Sequence, residues 1–214
     1  MWNDEIYNAR RPGEYEGDIV DGQYQGEGTL KWSDGSYYRG EFYAGEFAGW
    51  GEMHYIDGSV YKGGWNNNYP NLFGTWNHPA GDEYFGNWKD GKPHGHGEWR
   101  NNKTGEFLAG NWDEDELTGY GECMQENGNF YSGYFEAGKK SGQGTEKMEN
   151  GEQYEGLWSN NQINGQGTYT WPDGKSYTGE FQNGLHHGQG KMILPDGKVI
   201  EGLWKDGQVQ TPTE

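Results

Sequence analysis

A short motif recurs along almost the whole chain, and it constrains the fold more than any other feature. A tyrosine (twice replaced by leucine or isoleucine) is followed two residues later by glycine and four residues later by an apolar side chain. A motif that recurs at a regular interval is typical of repeat proteins, in which each unit packs on its neighbours. The sequence predicts an N-terminal extension (1–14), a repeat array (15–207) and a C-terminal tail (208–214). Eight full repeats start at residues 15, 38, 61, 84, 108, 131, 154 and 177, and a half repeat starts at 200.

Glycine occupies fixed positions in each repeat. When the first residue of a repeat is counted as position 0, glycine stands at position 2 throughout, and at positions 11 and 13 except at Leu72. Further glycines lie near positions 7 and 20, often after Asp or Asn, as in Asp34-Gly35. These dipeptides are typical of tight hairpin turns, because such turns require positive φ.

Polar and apolar residues alternate within each half repeat, which indicates strands rather than helices. Positions 0, 2 and 4 then share one face, which carries tyrosine, glycine and Trp or Phe. The sequence therefore predicts an all-β fold: an elongated, single-layer antiparallel sheet of tandem 23-residue hairpins. Seventeen strands at ~4.7 Å spacing would extend roughly 80 Å. Irregular segments at 66–72 and 101–105 predict a bulge or kink near repeats three to five.

Composition and charge exclude several classes of protein. The net charge of −18 opposes binding to nucleic acid or to anionic lipid, since both need clustered Lys and Arg. Aromatic residues make up 16% of the chain, which opposes simple disorder. The single cysteine, Cys123, cannot form an internal disulfide. No secretory signal or membrane-spanning apolar run is found, so we expect a cytoplasmic protein of a reducing compartment.

The pattern Tyr-x-Gly-x-Trp, Gly-x-Gly and Asp-Gly at a period of 23 residues resembles the MORN repeat (membrane occupation and recognition nexus). This resemblance implies an elongated β solenoid with an aromatic groove. It also implies a scaffold or protein-binding role in junctional, cytoskeletal or ciliary assemblies, as in a radial spoke head protein. Some family members append a catalytic domain, for which the flanking segments here leave no room. A place in the cytoskeleton, cilium or axoneme follows from the resemblance alone.

Several residues suggest chemistry without completing a site. His94-x-His96 and His186-His187 fall in turns, and no cysteine or carboxylate spacing completes a zinc site around them. The acidic run 113–116 lacks the glycine and the distal glutamate of a calcium loop. No nucleophile, base and orienting group recur together. We therefore expect a non-enzymatic protein with no catalytic residue, bound metal or cofactor.

The aromatic face provides the candidate binding residues. A long groove with an acidic rim suits a basic amphipathic helix or an extended segment of a protein partner. The alternative that most rings only pack the sheet stays open. The predicted groove residues are Trp65, Trp88, Tyr131, Phe135, Tyr154, Trp158, Tyr177 and Phe181, and the predicted rim residues are Glu136 and Glu155.

The composition and the ends of the array leave two alternative functions and one further expectation. The chain could instead be a membrane-associated adaptor that binds lipid head groups, or a regulatory subunit that acts on an enzyme in trans. Exposed edge strands invite self-association. Trp2, Ile6 and Tyr7 are apolar enough to dock, so residues 1–14 are expected to cap or extend the first repeat or to engage a partner.

Overall fold

The computed structural model describes residues 7–210, and within that range the chain contains eighteen β-strands and no helix. The predicted all-β class is therefore confirmed. No helix in the described range is long and apolar enough to cross a membrane. The strands fall into two compact units. Of the described residues, the first unit contains 7–104 and 111–116, and the second contains 105–110 and 117–210.

The strands of the first unit form an antiparallel meander, in which each strand pairs with the next one along the chain. The two strands of a repeat form a hairpin, and the second strand is the longer one. The strands are β1 (Glu14–Val20), β2 (Gln23–Lys31), β3 (Tyr37–Tyr43), β4 (Glu46–His54), β5 (Val60–Asn66), β6 (Tyr69–Asn77), β7 (Asp82–Lys89) and β8 (Lys92–Asn101).

The second unit follows the same pattern, with antiparallel pairing from β10 through β18. Its last strand has only two residues and was not among the seventeen that the repeats predict. The remaining strands of the chain are β9 (Phe107–Asp113), β10 (Glu116–Met124), β11 (Phe130–Glu136), β12 (Lys139–Lys147), β13 (Gln153–Ser159), β14 (Gln162–Thr170), β15 (Ser176–Gln182), β16 (Leu185–Ile193), β17 (Val199–Lys205) and β18 (Gln208–Val209).

Tight turns close the hairpins at positions 6 and 7, as the sequence predicts. Asp21 and Gly22 have φ angles of 52° and 76°, and Asn160 and Asn161 have 48° and 66°. Two consecutive positive φ angles are typical of the type I′ turn, whose twist matches that of the flanking strands. Glycine, Asn and Asp adopt this conformation at lower cost than other residues, which explains their place near position 7.

Each hairpin with a described register also contains a β-bulge. The register shifts just after position 2 in repeats one to four and six to eight. The extra residue lies on the facing strand near position 11, where Gly49 and Leu72 have φ angles of 56° and 59°. We predicted a bulge only near repeats three to five. The structure extends it to the other repeats, because the glycine at position 11 is a bulge residue.

Glycines at positions 2 and 13 face each other across neighbouring strands. In the first unit Gly28 pairs with Gly40, Gly40 with Gly51, and Gly51 with Gly63. This row leaves bare backbone on which the tyrosines of position 0 lie. A Cβ added to Gly51 would come 2.3 Å from Oη of Tyr38. The glycine row therefore allows the rings to approach the sheet and places the core on one face, the aromatic face.

Candidate protein-interaction surfaces

The aromatic rings at positions 0 and 4 form the core of each unit. The eight aromatic residues that we predicted to line a groove are at most 6% exposed, because they pack against one another and against the glycine row. Little ring surface is left for a partner in this arrangement. Binding at these rings stays a prediction, and it requires the packed cluster to open. These residues are Trp65, Trp88, Tyr131, Phe135, Tyr154, Trp158, Tyr177 and Phe181.

Two recurring hydrogen bonds satisfy the polar atoms of these rings. Tyr154 Oη donates to the carbonyl oxygen of Leu157 at 3.0 Å, and Trp158 Nε1 donates to the carbonyl oxygen of Gly144 at 3.3 Å. Burial raises the pKa of Tyr154 to about 12. Since the donors are already used inside the core, the rings do not offer them to a ligand.

A third ring position, position 9, was not predicted from the sequence. Phe47 stacks on Tyr38 and His186 stacks on Tyr177, each pair with ring centroids 3.9 Å apart. Burial lowers the pKa of His186, and nearby Lys175 lowers it further. The residue type at position 9 varies among repeats, so no recurring letter marks it. His186 is thus a partly buried member of the ring stack.

Position 9 of the sixth repeat carries a buried ion pair. Lys140 Nζ contacts Glu146 Oε1, and each side chain is 8% exposed. The same Nζ lies 4.8 Å from the ring centroids of Tyr131 and Trp158. Two apolar side chains stand at the equivalent positions of repeat two. Lys140 and Glu146 together take the place of two apolar side chains, so removing either one leaves the other as a buried, unpaired charge.

The predicted acidic rim is corrected by the strand geometry. Glu155 follows the buried Tyr154 in an extended strand, so its side chain points to the opposite face, where it is exposed. Glu136 is exposed at the end of β11 and accepts a hydrogen bond from Ser141 Oγ at 3.4 Å. We call the face opposite to the aromatic face, formed by positions 1, 3, 11, 12 and 14, the outer face.

Residues 7–11, which we call the N-terminal strap, lie against the aromatic face of the first unit. Tyr7 is 5% exposed, and its ring packs edge-on against Tyr55 with a centroid distance of 5.3 Å. The strap therefore covers the first repeats, as expected of a cap. Trp2 and Ile6, which we predicted to dock with it, lie outside the described residues.

Arg11 holds the strap by charge and by ring contact. Its guanidinium lies 5.7 Å from the ring centroid of Trp32, and its Nη2 donates to Asp34 Oδ2 at 2.6 Å. Hydrogen bonds from Ser36, together with this arginine, lower the pKa of Asp34 to about 2. The carboxylate is thus charged at neutral pH and attracts the strap.

Asn68 anchors the middle of the strap. Its Oδ1 accepts hydrogen bonds from the backbone N–H of Phe47 at 3.0 Å and of Ala9 at 3.1 Å. The side chain is 8% exposed because the strap covers it. Arg10 Nη2 also donates to Glu46 Oε1 at 2.9 Å. Asn68 was not predicted from the sequence, although it is an asparagine at position 7, where most repeats have glycine.

The outer face of the first unit carries exposed apolar side chains. Trp50 is 57% exposed, Leu72 70%, Phe73 42% and Phe85 54%, and we call these four residues the outer patch. The rings of Phe73 and Phe85 meet edge-to-face at 4.8 Å. Leu72 replaces the bulge glycine and keeps its positive φ, which costs a non-glycine residue roughly 1–2 kcal/mol.

The second unit exposes a smaller apolar set on its outer face. Tyr120 and Tyr134 are 56% and 52% exposed, and their ring centroids are 5.9 Å apart. The hydroxyls of Tyr120 and Ser132 are hydrogen-bonded at 2.6 Å. Exposed rings thus lie on the outer face of each unit.

The remaining candidate chemistry does not assemble into a metal site. Within residues 7–210, no group of three or more His, Cys, Asp or Glu side chains could hold a metal ion. His94 Nδ1 lies 3.2 Å from Asp113 Oδ1, which is a single pair. Burial raises the pKa of the Cys123 thiol and so disfavours the reactive thiolate.

Tandem hairpins, each closed by a type I′ turn, with tyrosines packed on a glycine row, define a β-hairpin repeat protein. The model of the MORN repeat family matches seven segments of the chain. The chain belongs to the MORN repeat family, which confirms the resemblance. The matched segments are residues 15–37, 38–60, 84–99, 109–130, 131–153, 154–176 and 177–199.

No curated protein matches the chain. Among solved structures, it is similar to the wild-type TCP10 domain of Danio rerio CPAP, with 13% identity over 96% of this chain and 94% of that one and a TM-score of 0.46. It is also similar to the TCP domain of Drosophila melanogaster SAS-4 (dCPAP), solved with a proline-rich motif of Ana2 (dSTIL). That match has 12% identity over 84% of this chain and 90% of that one, with a TM-score of 0.44. These values are too low to support a functional argument.

Proposed function

We propose that this protein is a non-enzymatic scaffold that binds another protein through the outer patch. The observation that carries the proposal is Leu72, which is 70% exposed in a backbone conformation that favours glycine. Such strain persists at functional sites when the surrounding structure holds it in place. Contiguous exposed apolar surface is also typical of interaction sites.

The size and surroundings of the outer patch indicate the kind of partner. When the exposed fractions of its four side chains are applied to roughly 150–250 Å² per side chain, the apolar area of the outer patch is roughly 330–560 Å². That is about half of the ~800 Å² that each partner buries in a stable complex. A cleft of about 280 Å³ beside Trp50 is lined by two basic residues, Arg39 and Lys62, and by two acidic ones, Glu27 and Glu52. Because the charges of the cleft balance, the feature that selects the partner is the apolar surface, which fits a short apolar segment.

The proposed setting is a cytoskeletal assembly, with a cilium or axoneme as the finer hypothesis, and family membership is its only support. A membrane adaptor is the less favoured alternative, because a net charge of −18 repels anionic lipids. A regulatory subunit of an enzyme differs from a scaffold only in the identity of the bound partner. The identity of the captured protein therefore distinguishes a scaffold from a regulatory subunit.

A pull-down from extracts of ciliated cells tests the proposal. The variant with Trp50→Gln and Phe73→Gln removes two rings but keeps the fold, because glutamine stands at position 12 in repeats six to eight. Gln166→Ser, on the outer face of the second unit, is the matched control. We expect a partner that is retained by the wild type and the control, is lost at least tenfold by the double variant, and binds the purified protein directly. Equal recovery with all three proteins contradicts the proposal.

A further inference from the structure

The surface under the N-terminal strap has an equivalent in the second unit. Asn161 stands 93 residues after Asn68, at the same position of its repeat and with nearly the same φ, 66° against 69°. Its Oδ1 accepts the backbone N–H of Lys140 at 2.8 Å, just as Asn68 accepts that of Phe47. However, Asn161 is exposed, whereas Asn68 is covered by the strap.

The residues around Asn161 stand 93 positions after those that surround the strap, and two of them differ in charge from their equivalents. Lys139 stands where Glu46 pairs with Arg10, and it is exposed. Asn127 stands where Asp34 pairs with Arg11. We call the surface formed by Gln125, Asn127, Lys139, Met148 and Asn161 the second seat.

We propose that the second seat binds an extended segment of a partner protein in which an aromatic residue is followed, two residues later, by a small residue and then by an acidic one. The backbone N–H of the small residue donates to Asn161 Oδ1, as Ala9 does to Asn68. The acidic side chain pairs with Lys139. The aromatic ring packs on Met148, because thioether sulfur contacts aromatic rings favourably and the flexible side chain adapts to their shape.

The strap of a second copy of this chain does not fit the second seat. Arg10 would meet Lys139, a like charge, and Arg11 would meet the neutral Asn127 instead of a carboxylate. Charge complementarity therefore selects a partner with an acidic segment. The second seat lies on the aromatic face, so this inference does not depend on the outer patch or on the function proposed for it.

Two synthetic peptides test the inference by fluorescence anisotropy with the full chain. The first is the segment 5–13 of this chain, and the second is the same segment with Arg10→Glu and Arg11→Glu. We expect the charge-reversed peptide to bind at least tenfold more tightly than the native one. Lys139→Glu should reverse this preference, and Asn161→Gly should weaken binding of the charge-reversed peptide at least fivefold.

The variants are chosen so that the fold survives. Glycine is the residue at the position of Asn161 in repeats one, two, four, six and eight, and Lys139 is exposed. The double variant Trp50→Gln and Phe73→Gln should leave peptide binding unchanged, which separates this site from the outer patch. The proposal is overturned if neither peptide binds, if both bind equally, or if binding survives Asn161→Gly unchanged.

Discussion

In the repeats with a described register, position 11 is a bulge residue, and Leu72 is the residue there that is not glycine. A second change makes room for it, since position 3 of the same repeat is Gly64. A Cβ at Gly64 would lie 2.5 Å from the carbonyl oxygen of Asn71 and 3.2 Å from Cβ of Leu72. The two changes thus form a pair that places an exposed leucine on the outer face.

We predict that Leu72→Gly makes the fold more stable while it weakens partner binding. Relief of the left-handed strain should exceed the entropy cost of a new glycine and raise the free energy of unfolding by about 0.5–1 kcal/mol. Urea denaturation measures this change, and the pull-down measures the loss of binding. A less stable variant would show that the Leu72 side chain stabilises the fold by packing, and would contradict the proposal that it is a strained binding residue.

Asn68 and Asn161 occupy equivalent positions in the two units and allow a matched pair of substitutions. Asn68→Gly leaves the buried N–H groups of Phe47 and Ala9 without their acceptor, whereas Asn161→Gly affects the single N–H of Lys140. A buried donor without a partner costs about 1–3 kcal/mol. We therefore predict that Asn68→Gly lowers the free energy of unfolding by about 1–2 kcal/mol more than Asn161→Gly does.

Amide hydrogen exchange at Ala9 provides a second measure of the same change, because the freed strap should exchange faster in Asn68→Gly alone. Equal stability losses and unchanged exchange would mean that Asn68 does not hold the strap.

The sequence indicated the chemistry of some residues but not their surroundings. Alternation placed Tyr154 and Trp158 correctly on one face, because the side-chain period of a strand is two. It could not show that other rings already cover that face, since burial depends on contacts between repeats. Position 9 was not recognised because Phe47 and His186, which occupy the same place in the fold, are chemically different residues. The strap contacts residues far from it in sequence, and no local pattern marks such contacts.

At the scale of single elements, the glycine row sets how closely neighbouring strands and rings approach. A Cβ at Gly179 would lie 2.6 Å from the carbonyl oxygen of Gln189 and from Cα of Gly190. At Gly202, the same position of the half repeat, the nearest atom is Val209 Cγ2 at 3.6 Å. The difference arises because a full strand faces Gly179, whereas a two-residue strand follows Gly202.

We predict that Gly179→Ala lowers the free energy of unfolding by about 2–3 kcal/mol, since backbone atoms cannot yield to the added methyl group. Gly202→Ala should change it by less than about 0.5 kcal/mol. Thermal and urea denaturation of both variants compare these costs directly. If the two variants are equally stable, the glycine row does not control how the strands approach.

The buried tyrosines of successive hairpins predict loss of the fold in alkali. The pKa of Tyr154 is raised from 10.0 to about 12, chiefly by burial, so the folded state holds the phenolic proton more tightly than the unfolded state does. The stabilisation is complete below about pH 10 and is lost as the pH rises through about 12. Tyrosinate absorbance of the core tyrosines should therefore appear together with unfolding. Ionisation of these tyrosines before any change in circular dichroism would contradict the buried arrangement.

At the scale of the whole molecule, charge is the property that the sequence determines most directly. The chain carries 34 acidic and 16 basic side chains, so at least 18 carboxylates have no basic partner to pair with. Exposed ion pairs contribute only about 0–1 kcal/mol each. Repulsion among the excess carboxylates disfavours the compact state. It therefore outweighs the small stabilisation from ion pairs that salt would screen.

We predict that salt stabilises the protein. The screening length falls from about 30 Å at 0.01 M to about 3 Å at 1 M, which removes most of the repulsion between exposed carboxylates. The melting temperature at neutral pH should rise by a few degrees over this range, since ~1 kcal/mol shifts Tm by roughly 2–4 °C in a chain of this size. Sodium chloride and choline chloride should act alike, because screening depends on ionic strength and not on a specific cation. A larger effect of one cation would indicate a binding site for it, and a falling Tm would show that the ion pairs dominate.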